Sequence, residues 1–207
     1  MGLKCALKVY FLWIFIVNTY GRINEAGKED PDCKGLSILS RKAWRARPSV
    51  RVVPISLPVN HVIIIHTADV QCKNTPQCIR IVQFTQNYHL DYNGWWDIGY
   101  NFLIGGEGLV YEGVGWKHVG AHTFNFNFIS MGIAFMGDFR NATPNNRMLD
   151  AAQLLIECGK KKGYLSPYTE IHGHRDAICT ISPGDKLYAI IKQWKNFIGG
   201  RLPMYSC

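Results

Sequence analysis

The 207-residue chain has no C-x-x-C pair, no internal repeat and no low-complexity tract. The first absence excludes a zinc ribbon; the others exclude a repeat array or a long disordered linker. Beyond residue 17 no apolar run approaches the roughly 20 residues that a spanning helix needs, so no membrane span is expected. Basic residues are scattered, and the one run, Lys160-Lys161-Lys162, reads as a solvated helix end. With no basic stripe interleaved with aromatics, nucleic acid is not an expected partner. The length suits one domain with a sizeable core and falls short of two.

What is present begins with an apolar N-terminus. Lys4 and Lys8 flank the run from Val9 to Val17, and small and polar residues follow up to Gly21. The run is too short to cross a bilayer and has no polar face, so residues 1–21 read as a secretory signal peptide and the product as secreted and extracellular. Residues 22–36 read as a polar N-terminal segment, 37–200 as the folded domain and 201–207 as a tail. Loss of Lys4 and Lys8 lowers the formal charge from +8 to +6, a basicity that favours anionic surfaces such as cell walls. Six cysteines then remain: Cys33, Cys72, Cys78, Cys158, Cys179 and Cys207. An even count in an oxidising compartment argues for disulfides. Cys72 and Cys78 enclose the shortest loop, but six cysteines permit fifteen connectivities, and composition does not choose among them.

Strand signals recur along the chain. The β-branched run 61–67 is a buried strand, 99–113 a hairpin turning at Gly105–Gly108, and 130–139 and 168–174 are further strands. Thr75-Pro76 and Thr143-Pro144 each resemble a cap followed by proline at the first helical position. Cys78, Val82, Thr85 and His89 share one helical face; Met148, Ala152, Leu155 and Cys158 share another. Ser182 is expected to cap a last helix whose core stripe, from Leu187 to Ile198, ends at Gly199-Gly200. Strands interleaved with about three helices indicate an α/β domain on one mixed sheet.

Seven histidines are present, and singly each is an ordinary structural or surface residue. The stretches VIIIHTADVQCKNTPQC, WWDIGYNFLIGGEGLVYEGVGWKHVGAHT, MGIAFMGDF and GHRDAICTISPGDKLYAIIKQW together resemble the peptidoglycan recognition protein family, in family order from about Ser37 to Phe197. That family is related to zinc amidases that cut N-acetylmuramoyl-L-alanine bonds. The resemblance implies an amidase-like fold with a groove for muramyl peptides. It places His66, Thr67, His89, Trp95, Tyr100, Val114, His122, His174 and Thr180 on or beside that groove. Trp95 and Trp116 are expected to cover sugar rings or stem aliphatics. It also implies a Cys72–Cys78 loop and a Cys33–Cys158 tie, which leaves Cys179 with Cys207.

In the amidases the resemblance implies three zinc ligands: a histidine at the end of the first main strand, the second histidine of Gly-His-Arg, and a cysteine eight residues on. Here those positions hold Ile65, His174 and Ser182. One imidazole beside an aliphatic chain and an alcohol makes a poor zinc site, because zinc in catalysis needs three protein donors and an open position. No cofactor or metal and no catalysis are therefore expected. The expected role is an innate-immunity pattern receptor that binds bacterial peptidoglycan without cleaving it; whether host signalling proteins are partners or the action is directly bactericidal stays open. The alternative is a hydrolase, either a zinc amidase with altered ligands or a serine peptidase through Ser182. Gly94-Trp95 and Val114 give opposing signals on lysine-type against diaminopimelate-type stems, so stem preference stays open.

Overall fold

The computed structural model describes residues 33–207 and the short strand β1 (Lys28–Glu29). The expected signal peptide, residues 1–21, lies outside the described residues. Six further strands complete one mixed sheet: β2 (Ser37–Leu39), β3 (Val59–His66), β4 (Phe102–Ile104), β5 (Val110–Glu112), β6 (Ser130–Phe135) and β7 (Leu165–Gly173). Their spatial order is β1-β2-β5-β4-β6-β3-β7. The four strands β4, β6, β3 and β7 run parallel, and β4 and β5 form the hairpin expected from the glycine turn.

Parallel strands covered on both faces are built from continuous apolar residues, and β3 and β6 are so built. Along β3 the parity of the sequence decides the face. Val62 and Ile64 point into a core shared with Met131, Ile133, Leu155 and Leu187, against α2 (Asn146–Lys161) and α4 (Asp185–Ile191). Ile63 and Ile65 point the other way, into a core shared with Leu103, Ala134, Cys78 and Val82, against α1 (Thr75–Asn87). A four-residue helix, α3 (His174–Ala177), follows β7 directly.

The helix caps fall one or two residues from their expected places. Asn74 and Asn145, not Thr75 and Thr143, accept the first free amides, from Gln77 and Met148 respectively, each at 3.1 Å. Asparagine is the stronger cap, and it displaces the threonine beside the proline. Ser182 does not cap α4. Gly184 takes that place at φ 88°, a left-handed conformation suited to glycine, and this turn carries Ser182 away from the helical amides. Helix α4 stops at Ile191, short of the expected stripe. Asn196 adopts φ 66°, and Phe197 instead bridges to Ile171 beside β7.

Three disulfides join Cys33 to Cys158, Cys72 to Cys78 and Cys179 to Cys207. The first ties the start of the described chain to α2, closing a loop of 125 residues in sequence. Among the described residues no helix is long and apolar enough to cross a membrane.

Candidate functional site

The site lies on the α1 face of the sheet, and its floor depends on a missing side chain. A Cβ on Gly132 of β6 would stand 2.5 Å from the His122 ring, so only glycine lets that imidazole lie flat against the sheet. Asn127 holds the backbone there by accepting from the amides of His122 (2.9 Å) and Thr123 (2.8 Å). His174, at the start of α3, sits 3.0 Å through Nε2 from the His122 carbonyl. A carbonyl can only accept, so Nε2 carries the proton and Nδ1 presents a lone pair. That Nδ1, and Nε2 of His122, are buried and have no hydrogen-bond partner.

Two unpartnered buried nitrogens are costly in a finished core, about 1–3 kcal/mol each. Both groups stay uncharged over the physiological range. Burial, reinforced by the neighbouring His174, pulls the His122 pKa down to about 3, and burial pulls His174 down to about 4.

Above this floor stands an aromatic wall. The end of α1 widens into a single π-helical turn, Tyr88–Tyr92, in which His89 continues the buried face of Cys78 and Val82. His89 is buried, accepts the Gly99 amide at Nδ1 (3.0 Å), and is held neutral by burial with a pKa of about 4. Its ring lies 4.5 Å from Trp95 and 5.4 Å from Tyr100, whose phenol burial pushes up to about 12. Trp95 is 36% exposed and so forms a wall, not core.

Trp95 and Val114 open onto a cleft of about 460 Å³, which also takes in Arg51, Trp96, His118 and Phe128. Arg51 lies over the Trp96 ring at 4.5 Å. The loop bearing both tryptophans is fixed from behind by Asp97, which pairs with Arg41 at 2.7 Å and accepts from Gln86 and its own neighbour Ile98 at 2.7 Å each. The sequence does not announce this network, because its members come from three separate segments.

Other expected groove residues fall elsewhere. His66 follows strand parity away from Ile65; its Nδ1 accepts the Phe139 amide at 3.2 Å, and Phe139 belongs to the α2 and α4 core. Thr67 accepts from Gly137 at 3.0 Å, and Thr180 from Ser182 at 3.2 Å, so both hydroxyls are engaged in loops. Trp116 does not face the cleft. It packs between Phe102 and Tyr164 at 4.4 and 5.2 Å on the opposite side of the sheet, over Gly159 of α2.

At the three positions compared with the amidase ligands, the side chains are these. Ile65 is buried in the apolar core; His174 offers one lone pair; Ser182 is buried with its hydroxyl accepting the His66 amide at 3.2 Å.

Residues 56–185, which carry most of the mixed sheet and of the cleft lining, match the family described as N-acetylmuramoyl-L-alanine amidase. The chain is 47% identical over 162 residues to peptidoglycan recognition protein 1 of Bos indicus, covering 78% of this chain and 85% of that one. It is 42% identical over 198 residues to peptidoglycan-recognition protein 1 of Holotrichia diomphalia, covering 94% and 98%. Its fold superimposes on human PGRP-Iβ C, solved in complex with glycosamyl muramyl pentapeptide, with a TM-score of 0.76 and 43% identity over 78% of this chain and 98% of that one. The chain belongs to the peptidoglycan recognition protein family.

Proposed function

We propose that this protein is a secreted pattern receptor of innate immunity that holds muramyl peptides of bacterial peptidoglycan and does not cleave them. The observation that carries the reading is the pair of unpartnered, neutral imidazole nitrogens of His122 and His174, beside an apolar cleft walled by Trp95. A neutral lone pair and neutral ring nitrogens suit the amides and hydroxyls of a glycopeptide, while the indole face suits a sugar ring or an aliphatic stem. That a human relative was solved with a muramyl pentapeptide supports the ligand class.

The donor set weighs against zinc hydrolysis. His174 is a lone ligand beside Ile65, and a serine hydroxyl already engaged with a backbone amide does not replace a thiolate. The same hydrogen bond weighs against Ser182 as a nucleophile, since no imidazole is bonded to it to take its proton. The cleft has a cation in Arg51, the group a stem carboxylate would meet in place of a guanidinium at Val114. Calorimetry with lysine-type and diaminopimelate-type muramyl tripeptides tests the reading, alongside incubation with uncross-linked peptidoglycan. Binding without release of stem peptides is expected; release, or failure to bind any bacterial wall, would overturn it.

A further inference from the structure

The same sheet face carries a second histidine cluster beside the groove floor: His61 stands four residues before Ile65 on β3, about 13 Å along the strand, and His172 is level with Gly132, since both are register partners of Ile63. His61 on β3 and Glu170 on the edge strand β7 are register partners, and His172 is the partner of Ile63. Parallel pairing therefore stacks three donor side chains on one face, across residues more than a hundred apart in sequence. His61 Nδ1 lies 3.0 Å from His172 Nε2 and 3.4 Å from Glu170 Oε2, and His172 Nε2 lies 3.5 Å from the same oxygen. The phenyl ring of Phe126 packs edge-on to His61, part of the apolar core on this face of the sheet.

We propose that His61, Glu170 and His172 form a binding site for a divalent transition-metal ion of the zinc class. The first argument is spacing. Ligands about 2.05 Å from a tetrahedral ion stand about 3.3 Å from one another, and the three edges here cluster around that length. The second is tautomer. His172 Nδ1 lies 2.7 Å from the Ile198 carbonyl, which forces the proton onto Nδ1 and leaves Nε2 as a lone pair turned to the cluster. Such an outer hydrogen bond is the usual orienting device of a metal-bound imidazole. The third is access: His172 is fully buried, His61 partly so, and the Glu170 side chain is 45% exposed, leaving a fourth position open to solvent.

The chemistry is that of two imidazoles and a carboxylate, a neutral-neutral-anionic set that suits zinc. The ion would act as a clasp. It joins edge strand β7 to β3, and through His172 it fixes the segment after α4, where Ile198 also donates its amide to Ile171 at 2.9 Å. The other grouping of three such donors among the described residues, Cys72, Cys78 and Glu107, is closed by a disulfide and offers no thiolate.

The test titrates the chelator-stripped full chain with zinc chloride by calorimetry and by thermal unfolding. One equivalent should bind with micromolar or tighter affinity, and about 100 µM zinc should raise Tm by about 4 °C or more. Glu170→Gln, nearly isosteric and at an exposed position, and His61→Ala should each weaken binding at least about tenfold. Both should keep the zinc-free Tm within a few degrees and bind muramyl peptide as the parent does, which separates this site from the groove. His174→Ala should leave zinc binding intact. The proposal falls if zinc gives neither heat nor a Tm shift, the outcome of a purely hydrogen-bonded triad. It also falls if binding survives the double replacement His61→Ala, Glu170→Gln, or if His174→Ala abolishes it.

Discussion

Two histidine clusters share one face of the sheet and differ in what surrounds their nitrogens. In the groove, His122 and His174 are linked through a backbone carbonyl, and each keeps a buried nitrogen without a partner. At the lower end of β3, His61 and His172 face each other and a carboxylate at ligand spacing. The residue types are alike. The neighbours decide: Ile65 gives His174 no second donor, whereas Glu170 gives His172 one. On these two proposals, a cluster of imidazoles serves for holding the amides and hydroxyls of a glycopeptide or for holding a cation according to one adjacent side chain.

The largest expected effect comes from converting the first cluster into the second kind. Ile65→His with Ser182→Cys would surround His174 with an imidazole and a thiolate, and a second equivalent of zinc should bind, with an affinity gain of about a thousandfold or more over the parent groove. Neither replacement alone should achieve it, since two donors hold zinc weakly. Calorimetry in the Glu170→Gln background, where the first site is weakened, checks this; absence of a tight equivalent there would mean that residues 65, 174 and 182 do not converge as proposed.

How much of this comparison is legible in the sequence follows from the range of the interactions. Strand faces were legible because alternation is local: Ile65 and His66 part as parity demands, so His66 turns its ring to the Phe139 side. The inward face of His89 was legible too, shared with Cys78 and Val82, but the π-helical turn that carries it was not, because nothing in Tyr88-His89-Leu90 announces it. The His61–Glu170–His172 cluster was also missed. Its signal exists in the parity of His61 and of Glu170 and His172, but it becomes a site only when β3 pairs with β7 in one register, a tertiary fact. Trp116 fails for a related reason. Its neighbour Gly115 has φ 73°, and the turn sends the indole to the α2 face, where Gly159 leaves room for it.

Next in size is the floor of the groove. Gly132→Ala would press a methyl against the His122 ring, and neither the sheet nor the ring, packed as well against Gly120, can give way easily. Overpacking of this kind costs about 1–3 kcal/mol and should lower Tm by several degrees while displacing His122. Muramyl-peptide binding should fall with it, yet zinc binding at His61 should persist in the folded fraction. Loss of both together would show the two clusters to be one cooperative unit.

Smaller again is the wall. Trp95→Ala removes a ring that is partly solvent-exposed and stands over His89, so affinity for muramyl peptide should fall about tenfold, near 1.4 kcal/mol, with Tm changed by no more than about 2 °C. Trp116→Ala is the informative partner: on the opposite face, among Phe102 and Tyr164, it should cost stability and leave affinity unchanged.

The least effect is expected from pH on binding, and this contrasts with its effect on stability. His89, His122 and His174 have folded pKa values of about 4, 3 and 4, against 6.5 for an unperturbed histidine. Between those values the unfolded chain takes up protons that the folded chain refuses. Their contribution to stability is therefore complete above about pH 6.5 and is lost as pH falls towards 4, at up to about 1.4 kcal/mol per unit for each group. Tm should decline steadily from pH 7 to pH 5. Affinity for muramyl peptide should stay constant over the same range, because the groove imidazoles of the folded protein remain neutral throughout it. Calorimetry at pH 7 and pH 5 separates the two, and an affinity that falls with Tm would mean that the nitrogens contacting the ligand titrate as exposed histidines do, outside the buried floor.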